Sequence, residues 1–200
     1  MKLTQLISII LHPIFMPLLA LHLTLIVVPS LAFTLSQNLV LIYCIVIFCT
    51  IILPLISIFW LIQKGRVSSL EMSNHKERSL PLVKTVIWMS VGYYLLENAL
   101  FYTPILKAEL LGAIIIILVA AIISKFWKIS LHLLGIGGLV GVFIALQVIH
   151  GALLYLLILF ILLSGILAVA RIKQKAHNYA QVYAGFIVGL SVELITILLI

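Results

Sequence analysis

Residues 39–62 read LVLIYCIVIFCTIILPLISIFWLI, a stretch with no Asp, Glu, Lys or Arg. A helix crosses the hydrocarbon core of a bilayer in about 20 predominantly apolar residues. This stretch is long enough to do so alone. Outward from it, no charge occurs anywhere in residues 3–63, and none in residues 129–170. Each of these runs has room for two crossings. Solid Leu, Ile and Val content lacks the alternation of a transmembrane β-strand. The spans are therefore expected to be helices, which satisfy their own backbone hydrogen bonds in lipid.

The whole chain agrees with this reading. Apolar residues make up 65% of its 200 positions and charged residues 8%, against about 25% charged in a soluble domain. Five acids and twelve bases cannot cover a water-soluble surface of this size. The expected fold class is all-α: a polytopic membrane protein built as a bundle of six to seven transmembrane helices. Residues 1–200 form a single integral membrane domain, a multi-pass protein expected in the cell membrane. The net charge of +7 is expected to report topology and anionic head groups rather than nucleic acid. Cys44 and Cys49 fall in one apolar segment and form no disulfide framework. The start, with one Lys and no small-residue cleavage site, is not expected to be a removable signal.

Breakers and polar clusters divide the chain into seven expected helices. The first runs from Ile14 to Phe33, after a short segment with His12, Pro13 and Pro17 that suits the interface. The second runs from Leu39 to Ile62, the third from Leu82 to Phe101, and the fourth from Ala108 to Ser124. The fifth follows Ser130 and reaches Val148, the sixth ends at Ala170, and the last reaches Ile200. Three polar patches, 63–81, 125–130 and 171–181, follow the second, fourth and sixth helices. An even number of crossings separates each from the next, so all three emerge on one face. Of the twelve bases, all but Lys2 and Lys107 lie in or beside these patches. Gly137-x-x-x-Gly141 and Gly185-x-x-x-Gly189 have the spacing of close helix packing and should draw the fifth and last helices together.

The patches carry a pattern in order. The first ends Lys76-Glu77-Arg78-Ser79-Leu80-Pro81, the second reads Lys128-Ile129-Ser130-Leu131-His132, and the third runs from Arg171 through His177 to Gln181. This resembles the three motifs of the type 2 phosphatidic acid phosphatase superfamily: a basic motif ending in Arg-Pro, then Pro-Ser-Gly-His, then Ser-Arg, five residues, His, three residues, Asp. The resemblance spans roughly Lys76 to Gly189. The sequence departs from the pattern at several points. Glu71 stands at the position of the first-motif Lys, so Lys76 or Lys64 would supply that charge. Ile129 and Leu131 replace Pro and Gly, and Ala170 and Gln181 replace Ser and Asp. A Gln at the last position is similar to the dolichyl-diphosphate phosphatase branch.

The resemblance implies hydrolysis of a membrane lipid phosphate or polyprenyl diphosphate, with the bilayer as medium and no metal or other cofactor. It implies His177 as nucleophile, forming a phosphohistidine, and His132 as the acid that protonates the leaving oxygen. The residue chemistry suits these roles. A histidine can hold phosphorus covalently and split the hydrolysis into two steps. Arg78 and Arg171 offer planar forks for paired phosphate oxygens, Lys76 a point charge, and Ser130 a hydroxyl. His177 and Gln181 are four apart, so the amide can reach and orient the ring. Glu97 and Glu193 are expected inside helices, which keeps open a transporter as an alternative. A catalytically silent relative that only binds lipid is the other alternative.

Overall fold

The computed structural model describes residues 2–70, 72, 74–151 and 153–199. Glu71 and Ile200 lie outside them. The chain is an all-helical membrane bundle, with no strand among the described residues. Among the described residues, six stretches are long and apolar enough to cross a membrane: Leu3–Val27, Leu39–Gln63, Pro104–Ile123, Leu131–His150, Leu154–Lys173 and Tyr179–Leu198.

Prolines explain where the helices differ from the expected ones. The first stretch is α1 (Leu3–Ile10), a 3-10 turn at Pro13–Phe15, and α2 (Met16–Val27). The expected continuation to Phe33 is interrupted at Val28, because Pro29 has no N–H to continue the ladder and starts a separate helix, α3 (Pro29–Thr34). The second stretch is α4 (Leu39–Ile47) and α5 (Leu53–Gln63), joined by a π-helical turn at Phe48–Ile52. Pro54 cannot donate to the carbonyl of Thr50, and the wider turn absorbs that missing bond.

Helix α6 (Ser79–Leu95) ends six residues before the expected Phe101, and turns occupy the interval up to Thr103. At 17 residues it is shorter than those six, about 25 Å at 1.5 Å per residue. α7 (Pro104–Ile123) begins earlier than expected because Pro104 occupies its first turn, where a missing N–H has no consequence. α8 (Leu131–His150), α9 (Leu154–Lys173) and α10 (Tyr179–Leu198) follow the expected course.

α8 and α10 form the centre of the bundle, and the glycines decide how closely they lie. A Cβ on Gly185 would sit 2.6 Å from the Ser130 carbonyl, and one on Gly141 would sit 2.6 Å from the Leu190 carbonyl. On Gly137 and Gly189 it would run into the backbone carbonyls of Phe186 and Leu134. Only hydrogen fits at these four positions. The expected pairing of the two small-residue stripes is therefore observed. It fixes the start of α10 against the start of α8, where the second and third polar patches meet.

Candidate functional site

The third patch ends in an N-terminal cap. Asn178 Oδ1 accepts from the Gln181 backbone N–H at 3.0 Å, and Gln181 Oε1 accepts from the Asn178 backbone N–H at 3.3 Å. That second bond identifies Oε1 as the amide oxygen, and His177 Nδ1 lies 3.0 Å from the same atom. An acceptor opposite Nδ1 requires the proton to be on Nδ1. The lone pair of neutral His177 is then on Nε2. The expected His177–Gln181 contact is thus present, and the cap that orients Gln181 also orients the ring. His177 is only 8% exposed. Burial pushes its ring down to about 4, against the Gln181 hydrogen bond, and Arg78, Arg171 and Lys128 push it in the same direction as burial.

The second patch is joined to this cap through the backbone, since the Ser130 N–H donates to the Gln181 carbonyl at 3.2 Å. Ser130 is fully buried and its hydroxyl has no hydrogen-bond partner among the described residues. The first patch arrives through Arg78, which is 5% exposed. Its Nε donates to Met72 O at 2.8 Å and its Nη1 to Ile129 O at 3.3 Å. These two carbonyls fix the plane of the guanidinium and connect the first patch to the second. Burial lowers the Arg78 pKa, with Arg171 adding to the effect. Burial also lowers that of Lys128, followed by Arg78 and Arg171. Three cations thus share one space with His177.

His132 faces α1. Its Nε2 lies 3.1 Å from Ser8 O, so Nε2 carries a proton and donates to that carbonyl. Arg171 Nη1 donates to Gln174 Oε1 at 2.9 Å and to Ser8 Oγ at 3.4 Å. Gln174 Nε2 donates to Thr4 O at 2.6 Å and to Ser8 Oγ at 3.1 Å. His12 stands edge-on to His132 with ring centroids 5.2 Å apart. The segment with His12, Pro13 and Pro17 is a 3-10 turn running into α2, and the helix α1 before it packs on α9 and is tied through Ser8 to two of the candidate residues, His132 and Arg171.

Arg78, Ser130, His132, Arg171, His177 and Gln181 are therefore assembled at one end of the bundle. Lys76 is not. Its side chain is exposed on the 3-10 turn His75–Arg78, and among the described residues no hydrogen bond or charge contact joins that side chain to the group. Lys64 is likewise exposed, on the turn after α5. Lys128, which opens the second motif, stands near the two arginines instead. Together these groups can hold a multiply charged tetrahedral anion against a ring nitrogen with a free lone pair.

The acids are arranged differently from expectation. Glu97 is exposed on the turn beyond α6, because that helix ends at Leu95. The buried partner of Glu193 is Glu109 on α7, and the two carboxyls are close enough to interact. Both line a cavity of about 140 Å³ that extends from His12, beside His132, into the bundle. Comparison with known protein families, curated proteins and solved structures finds no match to this chain.

Proposed function

We propose that the protein is a lipid phosphatase of the cell membrane, hydrolysing a lipid phosphate or polyprenyl diphosphate through a phosphohistidine. His177 Nε2 attacks phosphorus and displaces the lipid-bearing oxygen. That oxygen takes a proton from Nδ1 of His132, which the bound phosphate anion keeps protonated while Ser8 O holds its Nε2–H. Water then attacks the phosphohistidine, gives its proton back to His132, and inorganic phosphate leaves. Arg78, Lys128 and Arg171 neutralise the phosphoryl oxygens, where preorganised charge in a poorly hydrated site is most effective. Ser130 Oγ, buried and with no partner among the described residues, would donate to one of them. The lipid chain stays in the bilayer, which a site at the end of a membrane bundle permits.

The observation that carries this reading is the convergence of three cations on one neutral, oriented histidine. They come from three patches separated by about fifty and about forty residues of sequence. A structural role alone would give little reason to bring the buried Arg78 and the half-buried Lys128 and Arg171 close together, because like charges repel and lose hydration. A bound multivalent anion supplies the reason. Purified protein in lipid nanodiscs, offered phosphatidic acid and a polyprenyl diphosphate, is expected to release inorganic phosphate. His177→Ala is expected to abolish that release. No release above empty nanodiscs from either lipid class would overturn the proposal.

A further inference from the structure

We propose that Glu109, Glu193 and the cavity they face form a binding site for a small hydrophobic amine, taken up as its ammonium ion. The site is separate from the phosphate group and rests on different residues. Glu109 is 4% exposed, and its Oε1 accepts from Thr24 Oγ1 at 2.7 Å. Its Oε2 is buried with no hydrogen-bond partner among the described residues. An unmade bond to a buried carboxyl oxygen is costly, and a ligand donor would remove that cost.

Glu193 is 3% exposed and sits in a slot made by glycine. A Cβ on Gly112 would lie 2.6 Å from Glu193 Oε2, and one on Gly138 would lie 3.9 Å from the same atom. The helices thus leave room for this carboxyl where most sequences would fill the space with a side chain. Two buried carboxyls facing one apolar space cannot both ionise without repulsion and lost hydration, and a single positive charge between them offsets that cost. An ammonium has three donors and no acceptor, which suits oxygens from two carboxyls.

The walls decide what carries that charge. Leu21, Met89, Leu110, Ile116 and Leu139 line the cavity, so the body of the ligand is apolar. Its volume of about 140 Å³ is close to the roughly 150 Å³ of an engineered apolar cavity that admits benzene. One ring or a short branched alkyl group therefore fits. A tightly held metal is not favoured, since no group of three His, Cys, Asp or Glu side chains able to hold one occurs among the described residues. Among the described residues, the one other titratable group on the lining is His12, at the end of the cavity next to His132.

Equilibrium dialysis of radiolabelled benzylamine against the protein in phosphatidylcholine nanodiscs, near neutral pH, tests this. Empty nanodiscs give the baseline, and benzyl alcohol serves as the uncharged analogue of the same shape. Saturable binding of benzylamine is expected, about tenfold or more tighter than benzyl alcohol, as a charge-assisted hydrogen bond implies. Glu109→Gln and Glu193→Gln should each weaken benzylamine by a similar factor while leaving benzyl alcohol little changed. Equal binding of amine and alcohol by the wild-type protein would overturn the proposal without need of any variant. So would uptake no greater than that of empty nanodiscs, or undiminished benzylamine binding in both Gln variants. The phosphate-release assay does not enter this test, so either proposal can fail without the other.

Discussion

Gly185→Ala connects the packing of the bundle to the chemistry at its end. The added Cβ would lie 2.6 Å from the Ser130 carbonyl oxygen, whereas ordinary contact begins near 3.4 Å, so the backbones must part by about 0.8 Å. The obstacle is backbone at the start of the closest helix pair, and no side chain can swing aside. Overpacking of this kind costs about 1–3 kcal/mol. It also acts at the link between patches, because the Ser130 N–H donates to Gln181, whose side chain holds His177. A displacement near 1 Å in a catalytic arrangement can cost about 10²-fold in rate. Gly165→Ala is the control: nothing lies within 4 Å of its Cβ position, on the same type of helix. We expect Gly185→Ala to lower both the melting temperature in detergent and the rate of phosphate release, and Gly165→Ala to lower neither. Identical behaviour of the two variants in both assays would refute the claim that α8 and α10 position the site through glycine contact.

Other substitutions separate the roles of neighbouring residues. Since His177 is pushed down to about 4, it is neutral at pH 7, and the acid limb of the kcat/KM profile should lie near pH 4, where Nε2 becomes protonated. Gln181→Asp places a carboxylate on the ring and favours the imidazolium, so the acid limb of that profile should move to higher pH. Lys128→Ala should weaken substrate capture markedly while Lys76→Ala changes it little, which steady-state kinetics on a soluble phosphate ester can compare. Arg78→Lys should lose most activity and some stability, because a lysine cannot replace both bonds to Met72 and Ile129 and still present a planar donor edge.

The crossings were legible because runs without charge leave no other fold open. The close approach of α8 and α10 was legible because glycines four apart fall on one helical face. The interruption at Pro29 and the π turn before Pro54 depend on how neighbouring segments accommodate a missing donor, which residue identity alone does not determine. Lys128 was hidden by its place at the end of a span, where a lysine ordinarily marks topology. Glu109 was hidden for a related reason. It lies two residues from Lys107 at a helix start and looks like a boundary acid, whereas Glu97, within an apolar run, looks buried. The early end of α6 reverses those appearances. The part of Ser8 and Thr4 in the site had no signal, because an uncharged amphipathic segment does not show which neighbour it covers.

The central claim is that phosphorus passes through Nε2 of His177. Rapid quenching of the purified protein during turnover of a radiolabelled lipid phosphate, into base, preserves a phosphohistidine for peptide mass spectrometry. We predict label on the peptide carrying His177, stable to base and lost in acid, absent from His177→Ala, and formed no more slowly than phosphate is released. Turnover with label on another residue, or steady phosphate release from His177→Ala, would contradict it.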